Sequence, residues 1–177
     1  EKNKNLSSLK IKKRNMKEIF HVRFDRVMVA LILSDLFIIT GFGLIAPIFA
    51  IFVKDNLIGG SIVAAGLAST IFLLTKSALQ LPLSYYIDTH RKKIGILIFS
   101  TFFLAIIPFI YAFSTRIWHI YIAQTLYGIA AAMAVPTWFS LFSGHLDHRH
   151  RGFEFAVYST LMGIGTAISA YLGAKLV

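Results

Sequence analysis

The sequence predicts an all-α membrane protein, a multi-span bundle of transmembrane helices, and three observations predict it. Hydrophobic residues make up 56% of the 177 positions, and mean hydropathy is +0.70; soluble domains hold roughly 45–50% apolar residues even with glycine counted. The apolar residues are gathered into runs longer than 18 residues, long enough to cross a hydrocarbon core ~30 Å thick. The 18 Lys and Arg sit almost entirely at the ends of those runs and in the stretch from Glu1 to Arg26.

Residues 1–26 read as a basic tail that carries nine of those 18 cations. Its second half places Met16, Ile19, Phe20, Phe24 and Val27 at helical spacing, which predicts a short amphipathic helix lying in the interface. Its charge reads as a topology anchor before it reads as recognition of anionic lipid.

Five spans follow, at 27–53, 61–87, 94–113, 117–142 and 153–177. Span one, from Val27 to Val53, is too long for the apolar region of a signal peptide, and no small-residue cleavage site follows it. It contains Asp35, Gly41, Gly43 and Pro47. Span two carries Lys76, Gln80 and Pro82, and span three carries Pro108. Between them lies a charged hinge, Asp88 to Lys93, whose tightness is expected to force spans two and three to be neighbours. Span four carries Gln124, Gly128 and Pro136. A polar loop with His145, Asp147, His148, Arg149, His150 and Arg151 leads into span five.

Counting cations in alternate connections puts fourteen on one side and three, Lys54, Arg116 and Lys175, on the other, with Lys76 inside a span. Cytoplasmic loops hold the excess of Lys and Arg, so the N-terminus is expected in the cytoplasm, with the protein in the plasma (inner) membrane. The same placement argues against nucleic acid despite the net charge of +10, because no soluble fold presents a basic face. The absence of cysteine excludes disulfides and thiolate metal sites. No nucleophile elbow, HExxH helix or phosphate-cradling glycine loop is present, so an enzyme is not expected. The loop histidines resemble a metal cluster, but a structural site needs a closed ligand set on a rigid frame; no metal is expected.

A charge inside a span costs at least ~2.5–3.5 kcal/mol and normally faces protein or water. Asp35 lies eight residues in from Val27, roughly 12 Å deep. Lys76 lies eleven residues from Ile87 on the antiparallel second span, with Gln80 near the level of Asp35. Asp35, Lys76 and Gln80 therefore read as one polar cluster, either a proton or substrate relay or an ion pair pinning span one to span two. Gln124 either lines a cavity or bonds across helices. Pro47 and Pro136 sit at nearly equal offsets from the starts of spans one and four, Val27 and Ile117. Matching interruptions in spans of opposite direction suggest an inverted repeat and mark a central site. Small residues recur every fourth position in span two (Ser61, Ala65, Ser69; also Ala64, Ala68) and in span five (Gly165, Ser169, Gly173); such faces seat another helix.

Ser84, Asp88, Arg91, Lys92 and Lys93 form a variant of a glycine-aspartate-glycine-basic loop between spans two and three, with Ser84 and Arg91 in place of its glycines. Arg151-Gly152 fits a second signature, between spans four and five. Gly165, Ser169, Ala170, Gly173 and Ala174 are a worn form of a fifth-span glycine-proline motif. In this order and spacing, over about 27–177, the chain resembles the N-terminal half of a major facilitator superfamily transporter. The resemblance implies a secondary active carrier that moves a small solute by rocking two halves. It implies that spans one and four line the cavity and that Ser84, Asp88, Arg91, Lys92, Lys93, Arg151 and Gly152 belong to a cytoplasmic gate. It implies partners in the lipid bilayer, a small solute and a missing C-terminal half, which makes the chain a fragment. No cofactor is implied beyond a coupling ion, the proton being one candidate. Gln124 stands where many proton-coupled exporters carry arginine, and the fifth-span proline is absent, which speaks against proton-driven export. The competing class is a non-transporting membrane scaffold on the same helices.

Overall fold

The computed structural model describes residues 25–89 and 92–175. The basic tail at 1–24 lies outside the described residues, as does Arg91. Five helices make up the described chain: α1 (Arg26–Asn56), α2 (Ile62–Thr89), α3 (Lys93–Ala112), α4 (Ile117–His145) and α5 (Arg151–Ala174). All five are long and apolar enough to cross a membrane. They are apolar on all sides rather than along one stripe, the pattern of a helix surrounded by lipid and other helices. Helices suit that solvent because each satisfies its own backbone polar groups.

The short connections dictate how the ends meet. After α1 the chain turns through Gly59 at φ +79°, a left-handed conformation that glycine adopts without steric cost. A Cβ on the next residue, Gly60, would overlap the Val53 carbonyl. The turn brings Ile58 against the α3–α4 connection. The Ile58 amide donates to the Thr115 carbonyl at 3.0 Å, and the Ile117 amide donates to the Ile58 carbonyl at 3.1 Å. This pair of bonds stitches two loops together at one end of the bundle. The α2–α3 and α4–α5 connections, with Lys92, Lys93, Arg149 and Arg151, form the opposite, basic end.

Three helix pairs carry the packing: α2 with α4, α1 with α5, and α3 with α4. Exchanging α1 with α4 and α2 with α5 converts the first two pairs into each other, the relation an inverted three-helix repeat requires. The short hinge does not make α2 and α3 close neighbours: they share almost no contact, and each lies on α4 instead. A tight connection fixes only the ends of two helices, and their small-residue faces decide the partners. On α5, an added Cβ at Gly165 would lie 2.6 Å from Leu36 Cδ1, and one at Gly173 would strike the Leu44 carbonyl of α1. From the other side, Gly43 of α1 abuts Ser169. The fifth-span stripe is thus the seat of α1. On α2, Ala64, Ala65 and Ala68 are buried in one cluster with Ile120 and Ala123 of α4. Gly128 of α4 continues that seam, with Thr75 Cβ 2.7 Å from where its own Cβ would be. In lipid no hydrophobic force drives helices together, so such close approach supplies the association by van der Waals contact.

The α1–α5 seam gives a direct test. Gly173→Ala forces a methyl into the α1 backbone and is expected to destabilise the protein by about 1–3 kcal/mol. Gly163→Ala, on the same helix with open space beside it, should be neutral or gain up to ~1 kcal/mol of helix propensity. Thermal unfolding of the two purified variants in one detergent compares them; equal midpoints would contradict the seam.

Candidate functional site

One cavity of about 250 Å³ takes side chains from all five helices. Its polar lining is Ser34 and Asp35 from α1, Lys76 from α2, Thr101 from α3 and Tyr158 from α5. Phe72, Tyr127, Trp138 and Phe139 give it aromatic walls. Larger hollows between α1 and α3 (470 Å³) and between α1 and α5 (390 Å³) are lined without any charged residue.

Aromatic packing holds the lining in place. Tyr127 is sandwiched between Phe42 of α1 and Phe72 of α2, with ring centroids at 4.7 and 4.2 Å. Offset ring pairs of this kind are worth about 0.5–1.5 kcal/mol beyond their buried area. Trp138 stacks on Phe142 at 4.6 Å and lies 4.7 Å from Tyr158. Its buried indole N–H donates to the Leu31 carbonyl at 3.1 Å, so one side chain of α4 ties α1 and α5 together. The Tyr158 hydroxyl donates to Asp35 Oδ2 at 2.7 Å.

The predicted site residues separate. Asp35 and Lys76 line the same cavity, but no ion pair within 4.0 Å joins them among the described residues; the Lys76 ammonium lies 6.0 Å from the Phe72 ring. Gln80 is half-buried on α2, away from the cavity lining. Gln124 is buried on α4, and its Oε1 finds no partner among the described residues. Pro47 sits on the α5 side of α1, where Gly173 approaches it. Pro136 is half-buried in α4, beside the lining residue Val135.

At the basic end, Lys93 reaches Asp88 Oδ1 at 3.3 Å and donates to Ser140 Oγ of α4 at 2.6 Å. With Asp88 65% exposed, the ion pair itself is worth ~1 kcal/mol or less; its geometric effect is to clip the facing ends of α2 and α3 to α4. Ser84 lies one turn before Asp88 and is half-buried, and Lys92 is exposed. Arg151 lies against the His148 ring at 2.9 Å, and a Cβ on Gly152 would meet open space. Asp147 accepts from the Arg149 amide and from His150, both at 3.0 Å. The Arg149 amide first, and His150 second, hold its carboxyl below the ordinary aspartate range. His145 donates through Nδ1 to the Leu141 carbonyl at 2.8 Å, and its Nε2 lies 3.8 Å from Asp25. Among the described residues no three His, Asp or Glu converge as metal ligands.

Sequence reasoning missed Tyr158, Trp138 and Glu154. Glu154 is almost wholly buried in the first turn of α5 and accepts the Asp147 amide at 2.9 Å. An acid at the start of an apolar run was a readable signal, because carboxylates favour helix N-termini. Tyr158 and Trp138 carried no local signal, since their partners lie 123 and 107 residues away in the chain. Trp138→Phe keeps a ring in the stack but removes the indole donor, with an expected loss of about 1–2 kcal/mol. An unchanged thermal midpoint for this variant would show that the α1–α4 tie carries no weight.

A family model described as Major Facilitator Superfamily matches residues 31–177. No curated protein matches the chain, and no solved structure does. The match takes in α2 to α5 whole and α1 from its second turn on, including every residue of the cavity lining. By that match the chain belongs to the Major Facilitator Superfamily, a family of membrane transporters.

Proposed function

We propose that the chain is part of the N-terminal half of a secondary active transporter, not an enzyme, and that it moves a small solute by alternating access. The observation that carries this reading is the cavity drawn from all five helices, with Asp35 and Lys76 on its walls. A scaffold has no use for two intramembrane charges that do not pair, since each costs free energy until something answers it. In this reading the cavity is completed by a second half, and the solute binds between the two.

Fourteen cations against three support a cytoplasmic basic end and N-terminus in this reading, with the plasma membrane as the proposed location. The Asp88–Lys93–Ser140 clip then lies on the cytoplasmic side. There it holds the facing ends of α2 and α3 on α4, the place for a gate that opens and closes with the rocking of the halves. Ser84, Arg91, Lys92, Arg151 and Gly152 belong to the same gate. Asp35 is the group through which a proton would couple, and no cofactor is invoked.

The test uses the absence of cysteine from this sequence. Ser34→Cys, close to isosteric, is placed in the cavity wall of the full-length protein otherwise freed of cysteine. A membrane-impermeant maleimide is then applied to either face of vesicles. Alternating access predicts labelling from both faces. Labelling from one face only, or from neither, contradicts a carrier.

A further inference from the structure

The charges in the cavity are arranged for more than solvation. Tyr158 occupies Oδ2 of Asp35, while Oδ1 has no hydrogen-bond partner among the described residues. Lys76 makes no hydrogen bond or ion pair among the described residues, its ammonium lying 6.0 Å from the Phe72 ring. Both groups open onto the same 250 Å³ space. Resting on the carrier reading, we infer that the solute is a small zwitterion with an aromatic body: its ammonium pairs with Asp35 Oδ1, and its carboxylate pairs with Lys76.

The electrostatics discriminate between solute classes. A monocation answers Asp35 but leaves Lys76 unpaired and is repelled by it. A monoanion does the reverse, and a neutral solute answers them with hydrogen bonds alone, without an opposite charge. Of these, a zwitterion gives both groups an opposite charge at once, and burying an unpaired charge is the costly alternative. Specificity comes as much from that penalty against the wrong solute as from attraction to the right one. Phe72, Tyr127, Trp138 and Phe139 line the space around the solute's body, which suits an aromatic group. The volume lies below the ~300–1,000 Å³ typical of pockets for drug-sized ligands, so the solute portion held here is small.

Three probes share one indole ring and differ in charge: l-tryptophan, tryptamine and indole-3-acetate. Each is tested for protection of Ser34→Cys against maleimide in the full-length protein in vesicles. l-Tryptophan should protect at a concentration at least about tenfold lower than either singly charged analogue, the scale of a lost buried charge partner. Asp35→Asn should shift the preference at least tenfold toward indole-3-acetate, and Lys76→Gln should shift it as far toward tryptamine. Equal protection by a singly charged probe, or no protection by any probe while labelling from both faces persists, overturns the zwitterion and leaves the carrier standing. Loss of labelling from one or both faces in the unprotected protein overturns the carrier and the zwitterion together.

Discussion

Hydrocarbon solvates neither a charge nor an open backbone amide, and that intolerance sets most of what this chain does. It leaves α-helices and closed barrels as spanning structures, and the described chain uses helices. It drives Lys and Arg to the helix ends, where they set the orientation. It also makes the two exceptions, Asp35 and Lys76, conspicuous: both line a cavity to which all five helices contribute.

Because lipid tails are as apolar as leucine, the bundle is held by fit. The α1–α5 seam works because Gly43, Gly165 and Gly173 leave room for side chain or backbone from across the interface. The α2–α4 seam works through Ala64, Ala65, Ala68 and Gly128. α4 packs on both α2 and α3, which makes it the spine on which the cavity is assembled. Trp138 and Tyr127 extend from that spine to α1, α2 and α5, so the walls of the cavity are also struts between helices.

Much of this was legible in the sequence, for a definable reason. Hydropathy and cation placement are one-dimensional signals, and a membrane is a one-dimensional constraint along its normal. The five spans follow from the length of the apolar runs, and counting residues along a helix of known rise supplies only an expected depth for Asp35 and Lys76. Azimuth does not. The count put Lys76, Gln80 and Asp35 at similar depth, yet the carboxylate is met by Tyr158 from α5 while Gln80 stays off the cavity lining. The stripe of Gly165, Ser169 and Gly173 announced a helix seat without naming its occupant, which proved to be α1. The hinge suggested α2 beside α3, but chain proximity at the ends lost to side-chain fit along the length.

The five helices are proposed to thread the bilayer in alternating directions, with the basic end in the cytoplasm. Compartment-sensitive reporters fused after Lys93 and after Ser114 measure that most directly. With this threading the Lys93 fusion is expected inside the cell and the Ser114 fusion outside. Finding both reporters in the same compartment would contradict it.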